Sequence, residues 1–194
     1  DEMVLGTSSD DTLTGNGGVD RFNAGKGNDT VVLQASDVTN LANNVVGSVK
    51  AMVDGGTGFD TLQVSAAGVN LEMTAISNVS AMVNEGASRI NSIERINLGS
   101  DATANTLTLT AKDVNDMADF NSIRLGASDD GKTWSNVSGT ALSATTKFHQ
   151  VVVDGTSADK LTLEVGNGYW ANVGEVSYAG GPGYFVYQNT ATNS

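Results

Sequence analysis

The stretch Asp54-Gly55-Gly56-Thr57-Gly58-Phe59-Asp60-Thr61-Leu62 limits what this chain can fold into more than any other. It fits a nine-residue pattern, Gly-Gly-x-Gly-x-Asp-x-apolar-x, with a further Asp just ahead of it. Glycines let a backbone turn sharply and bring bare carbonyls close together. The Asp adds a carboxylate, and the apolar residue two places later starts a buried strand. A hard cation such as Ca²⁺ seeks about six to eight oxygens at about 2.3–2.6 Å, and a turn of this kind is rich in them.

The pattern recurs. Residues 6–32 divide into three consecutive nonamers beginning at Gly6, Gly15 and Ala24. Their sixth positions are Asp11, Asp20 and Asp29, with Asp10 beside the first, and their eighth are Leu13, Phe22 and Val31. In a stacked roll consecutive turns fall on opposite sides, so Asp11 and Asp29 could share one ion. A fifth loop, Asp154-Gly155-Thr156-Ser157-Ala158-Asp159, keeps the register of the fourth but has Ser157 where a Gly is expected. The candidate metal ligands are therefore Asp10, Asp11, Asp20, Gly25, Gly27, Asp29, Asp54, Gly56, Gly58, Asp60, Asp154 and Asp159, and several Ca²⁺ ions are expected. The competing reading of each loop is a Gly/Asn/Asp turn without metal.

Charge agrees with calcium. Asp and Glu outnumber Lys and Arg 22 to 10, a formal charge of −12, which roughly six divalent cations would cancel. The same charge opposes nucleic acid and anionic membranes. No apolar run approaches the ~20 residues of a membrane span, so membrane insertion is not expected. There is no cysteine, so a secreted domain would need another staple, such as metal. The 194 residues suit one domain, 1–194, with the nonamers of 6–32 leading into 33–194. No signal-peptide pattern opens the chain, which is expected to be a piece of a longer one.

Elsewhere short alternating segments predict strands: Thr61–Val64, Val69–Met73, Val79–Val83, Ile96–Leu98, Thr106–Leu109, Phe148–Val153 and Leu161–Leu163. Ser36 can cap a short helix carrying Val38 and Leu41, and Thr110 with Asp113 forms a capping box for another. Val45, Val46, Val49 and Met52-Val53 have mixed spacing and leave helix or strand open. Asp129-Asp130-Gly131-Lys132, between Ile123–Leu125 and Trp134–Val137, predicts a hairpin turn. Asn167-Gly168 and Gly180-Gly181-Pro182-Gly183 mark further turns. Asn28, Asn78 and Asn136 head N-x-S/T triplets, to which no meaning is assigned. Many short strands and little helix predict an all-β domain, a calcium-stabilised β-sandwich with short helices. A long parallel roll is the alternative; it fits 6–32 but not the long interval between the fourth and fifth loops.

Catalytic chemistry is sparse. The single His149 lies in an expected strand, no Gly-x-Ser-x-Gly elbow is present, and phosphate-cradling glycine motifs are missing. The acids sit in glycine loops suited to calcium rather than around a cleft, so a non-enzyme is expected.

The nonamers at 6–32, 54–62 and 154–162 resemble those of RTX (repeats-in-toxin) proteins. Ser92–Leu98, Asn105–Val114 and Val151–Leu163 are similar to the C-terminal regions of large RTX adhesins. The resemblance implies a bacterial protein exported through a type I system, folding on extracellular calcium and displayed at the cell surface as part of a larger adhesin chain. Its size and aromatic tail resemble the peptide-binding modules of such adhesins. The partner so implied is a surface protein or peptide C-terminus of a host or neighbouring cell, gripped through a bound calcium by a monomeric domain. Candidate ligand contacts are Asp54, Asp60, Asp154 and Asp159, with Tyr169, Trp170, Tyr178 and Tyr184 for apolar contact and hydrogen bonds. A calcium-dependent glycan site and a purely structural RTX segment are the competing expectations.

Overall fold

A computed structural model describes residues 1–43, 49–77, 88–99, 103–142, 146–166 and 168–190. In chain order the elements are β1 (Met3–Leu5), β2 (Thr12–Thr14), β3 (Arg21–Asn23), β4 (Thr30–Leu33), α1 (Ala35–Leu41), β5 (Met52–Asp54), β6 (Thr61–Val64) and β7 (Asn70–Glu72). There follow a 3₁₀ turn (Met73–Ala75), β8 (Ile90–Asn91), β9 (Arg95–Asn97), β10 (Thr106–Leu109) and α2 (Ala111–Met117). The chain closes with β11 (Gly126–Ala127), β12 (Thr133–Gly139), β13 (Val152–Asp154), β14 (Lys160–Leu163), β15 (Trp170–Tyr178) and β16 (Gly183–Asn189).

The short strands stack in parallel. One sheet has the order β1-β3-β5-β8, a second β13-β9-β6-β4-β2, and a third β14-β10-β7. The reason lies in the nine-residue cadence. A turn followed by a three-residue strand returns the chain to the same side after two nonamers, so like residues land over like. Leu13, Val31, Leu62, Ile96 and Val153 pair in one line across the second sheet. Val4, Phe22, Val53 and Ile90 form a line in the first, and Leu71, Leu107 and Leu161 one in the third. Most of these side chains meet in a single core that also takes in Leu33, Leu41 and Met73. Burying each such side chain contributes about 1.5–3 kcal/mol. The hydrophobic pattern thus sets the register, and a slip of one residue would turn each line outward.

The all-β expectation holds in outline, but the sandwich needs correction. Sheets face one another over a shared core, yet their strands run parallel, as in the roll that was the alternative. The interval that argued against a roll contains β7, β9 and β10, all in the parallel ladders. Among the described residues, only β11, β12, β15 and β16 form an antiparallel sheet. There Trp134 packs against Tyr178 and Tyr184, with ring centroids 5.0 and 5.3 Å apart.

Local expectations fare unevenly. Thr110 and Asp113 do cap α2: the Thr110 N–H donates to Asp113 Oδ2 at 2.8 Å. The cap of α1 is Gln34 rather than Ser36, because Asp37 at the third helical position accepts the Gln34 N–H at 2.8 Å. The Asp130-Gly131 turn joins β11 to β12, so its first strand is 126–127 and not 123–125. Phe148–Val153 is strand only from Val152 onward. His149 instead bridges to Phe120, their rings 3.8 Å apart. Val45, Val46, Asn78, the strand at 79–83 and Asn167 lie outside the described residues.

Candidate metal centre and end cleft

The coil brings the turns before β2, β4, β6 and β9 onto one edge. The residue ahead of each strand is Asp11, Asp29, Asp60 and Glu94, and they link in series. The Asp11 N–H donates to Asp29 Oδ1 (2.7 Å), Asp29 N–H to Asp60 Oδ1 (2.8 Å), and Asp60 N–H to Glu94 Oε2 (2.9 Å). Glu94 Oε1 also accepts the Asp119 N–H at 3.2 Å. A second line runs beside the first, with the Asn28 N–H donating to Asp10 Oδ1 (2.8 Å) and the Phe59 N–H to Asn28 Oδ1 (3.0 Å).

The glycines lie where a side chain cannot go. Gly25, Gly27, Gly56 and Gly58 have φ of +104°, +114°, +92° and +144°. A Cβ on Gly56 would overlap the Gly25 carbonyl oxygen, and one on Gly58 the Gly27 carbonyl oxygen. Successive turns therefore lie in direct backbone contact, the Thr57 N–H donating to the Gly25 carbonyl and the Gly27 N–H to the Thr57 carbonyl, each at 3.0 Å.

Burial makes this edge electrostatically costly. Asp29, Asp60 and Glu94 are each 1% exposed. Burial, opposed by backbone hydrogen bonds and reinforced by neighbouring carboxylates, raises Asp29 above the usual range and pushes Asp60 and Glu94 up to about 7. Asp29 Oδ2 and Asp60 Oδ2 are buried and accept no hydrogen bond among the described residues. Such unpaired carboxylate oxygens suit a hard cation. No three carboxylate or imidazole groups converge among the described residues, so an ion here would draw on backbone oxygens as well.

Of the expected ligands, Asp10, Asp11, Gly25, Gly27, Asp29, Gly56, Gly58 and Asp60 share this edge. Asp54 stands at the end of β5, its Oδ1 accepting the Gly56 N–H at 3.1 Å. Asp20 lies on the edge before β3, where its Oδ1 accepts the Glu2 N–H at 2.9 Å. Asp159 belongs to a third edge. There the Val69 N–H donates to Asn105 Oδ1 (2.7 Å) and the Asn105 N–H to Asp159 Oδ1 (2.8 Å). Asp159 Oδ2 takes the N–H and hydroxyl of Thr156 at 2.6 and 3.0 Å. Asp154 accepts the Tyr184 hydroxyl at 2.7 Å and pairs with Arg95 at 3.4 Å. The turns 54–60 and 154–159, alike in sequence, are thus on different edges. Glu94 and Asn105 take the same place directly before β9 and β10, but without the glycine turn that marks the Asp positions in the sequence.

Beyond β13 and β14 the coil ends against the antiparallel sheet, leaving a cleft of about 460 Å³. Val152, Leu161, Trp170, Tyr184 and Phe185 line it, and Asp154 is its acidic member. Of the expected ligand contacts, Asp154, Trp170 and Tyr184 reach it. Tyr178 packs on Trp134, Tyr169 stands exposed on the surface, and Asp54, Asp60 and Asp159 lie away from the lining.

The family described as RTX calcium-binding nonapeptide repeat (4 copies) matches residues 1–31. These repeats bind calcium, which marks the N-terminal part of the chain as RTX-type. No curated protein and no solved structure shows significant similarity to the chain. Proteins with such repeats are typically secreted, and no helix among the described residues is long and apolar enough to cross a membrane.

Proposed function

We propose that the chain is a calcium-dependent adhesion module of a secreted surface protein, and that it binds a peptide or protein C-terminus in the cleft at the end of the coil. The cleft carries this reading: an apolar hollow beside an acidic turn is what a short peptide needs. Leu161, Trp170 and Phe185 offer apolar contact, and Tyr184 can hydrogen-bond at small entropic cost.

The two candidate turns divide the work. Turn 54–60 is enclosed between turns 24–29 and 92–94, with Gly55 tight against the Ser92 carbonyl, so an ion there would serve the scaffold. Turn 154–159 is the outermost of its edge, and the series running from Val69 through the Asn105 amide ends at the Asp159 carboxylate. An ion held there would lack the oxygens of a further coil and would attract an external carboxylate. A peptide array presented with free and amidated C-termini, in calcium and in EGTA, tests this. Binding of free termini in calcium alone is expected. Equal binding of the amidated set would sink the carboxylate mechanism. Leu161→Arg, which fills the cleft without touching the 24–29 edge, is expected to weaken binding at least tenfold.

A second reading, a structural RTX segment without a ligand, is favoured by the packing of Trp134, Tyr178 and Tyr184 on one another. It expects Trp170→Ala to lower the melting temperature and leave adhesion of the parent protein unchanged.

A further inference from the structure

The coil stops with its ladders open. Val153 ends the line Leu13–Val31–Leu62–Ile96, and Leu161 ends the line Leu71–Leu107. The inner members of both lines are buried, but Leu161 is 40% exposed. Backbone pairing ends there too. In β13 the Val152 N–H donates to the Glu94 carbonyl and the Asp154 carbonyl accepts the Leu98 N–H, each at 2.8 Å. Backbone groups alternate sides along a strand, so Val153 turns its N–H and C=O away from β9. In β14 the Lys160 and Glu164 N–H groups donate to the Asn105 and Leu109 carbonyls at 2.9 and 2.8 Å. The backbone groups of Leu161 and Leu163 therefore face away from β10. No further strand pairs with either outer edge among the described residues.

Val153, Leu161 and Leu163 all line the end cleft. The cleft thus has the make-up of a seat for one more coil: open backbone on one side, two unfinished apolar lines, and the antiparallel sheet opposite. Open edges match one kind of partner, an extended chain whose own N–H and C=O complement theirs. A neighbouring strand would lie about 4.8 Å from β13, and three residues at about 3.3 Å each reach its length. The cleft's volume of about 460 Å³ falls within the ~300–1,000 Å³ of ligand sites.

We infer that a partner peptide binds here as an added strand on the outer edge of β13, parallel to it, with one apolar side chain laid over Val153. Such pairing rests on the cleft being a peptide site, and it supplies the direction and register of the peptide. Every pair in that sheet is parallel. The same direction carries the peptide's C-terminus past Asp154 toward turn 154–159, whereas a parallel strand on β14 would run away from that turn. In this register the Val153 N–H donates to the carbonyl of the residue before the apolar one. The Val153 carbonyl accepts the N–H of the residue after it. The apolar residue's own N–H points away from β13. Its two neighbours face outward, as Thr12 and Thr14 do beside the buried Leu13, so polar residues are favoured there.

The test uses the whole chain in calcium and an array of short peptides of varied sequence, with free and with amidated C-termini. The tightest binder is scanned with single backbone N-methyl groups, and affinity is read by calorimetry. N-methylation of the residue after the apolar one is expected to weaken binding about tenfold, as loss of a buried hydrogen bond would. N-methylation of the apolar residue itself should be tolerated. Val153→Pro removes the outward N–H without costing a ladder bond, which is where a strand admits proline. It is expected to weaken binding by a like factor, and Val153→Ala, which keeps the N–H, to weaken it less. Melting curves in calcium check that both variants fold; should Val153→Pro not fold, the N-methyl scan decides. A scan without alternation, or equal affinities of the two folded variants, overturns the added strand and leaves the carboxylate reading standing. Loss on methylating the apolar residue itself would mark an antiparallel strand and overturn the direction. Amidated peptides that bind as well as free ones, with the expected alternation, would sink the carboxylate and keep the strand. Self-association abolished by Val153→Pro would put a second copy in the cleft and overturn the peptide as occupant. No binding of any peptide would refute the strand and the peptide reading together.

Discussion

Gly58 shows how much of this molecule is decided at single atoms. Its φ of +144° is open to glycine, and a Cβ would strike the Gly27 carbonyl. Gly58→Ala is expected to cost about 2 kcal/mol or more, since a strained backbone and an overlap add. Gly68→Ala, at φ +69° with open space around it, should cost only about 1 kcal/mol. Urea denaturation in saturating calcium compares the two. Asp60 gives a sharper test, because its charge is a burden without a cation and an asset with one. Asp60→Asn is expected to leave the melting temperature unchanged or raised in EGTA and to lower it in calcium. The same sign under both conditions would show that Asp60 is not a ligand.

At the scale of the element, burial raises Asp29, Asp60 and Glu94 alike. Burial raises Asp60 and Glu94 to about 7, so the folded chain holds protons that the unfolded chain has released by about pH 4–5. In EGTA, that contribution to stability is fully present below about pH 4 and is lost as pH rises through 7. Calcium needs the ionised forms, so its affinity should rise over the same window and level off above it. Melting temperature in EGTA between pH 5 and 8 is expected to fall; a rise would mean these carboxylates are not buried as described. Much of this element was legible in the sequence. The turns at 6–11, 24–29 and 55–60 announce themselves by glycine and aspartate, and both short helices by their polar and apolar residues. Glu94 and Asn105 were not legible, because a carboxylate or amide accepting a backbone N–H needs no particular neighbour in sequence. Parallel and antiparallel stacking were also indistinguishable, since a three-residue strand with one buried centre, such as Leu71 or Leu107, looks the same in either. The insertions carrying α1 and α2, and the shortened intervals Ile90–Ile96 and Val153–Leu161, hid the continuing coil.

For the whole molecule, the calcium-binding repeats matched at residues 1–31 lead to the expectation that calcium stabilises the folded chain. A ligand that binds only the folded state stabilises it by about 4 kcal/mol at a thousand times its Kd, and several sites would add. EGTA is therefore expected to lower the melting temperature by well over 10 °C, read by circular dichroism with calcium returned as the control. Arg95 bears on the far end of the stack. Its guanidinium lies 5.2 Å from the Phe59 ring centre and pairs with Asp130 and Asp154, joining the coil to the antiparallel sheet. Arg95→Met should loosen that junction before it affects the N-terminal turns.

In all three parallel sheets the strands stack in the order in which the chain supplies them. No later strand has to slip between two earlier ones, so assembly is layered growth on a seed, nearest neighbour by nearest neighbour. In such a stack a defect's consequence depends on where it falls. A faulty terminal layer frays alone, whereas one at β5 and β6 divides the molecule into two shorter stacks, each less able to persist. Equal chemical damage at Asp11 and at Asp60 should thus have unequal outcomes, with the middle of the stack as the seam on which cooperativity depends.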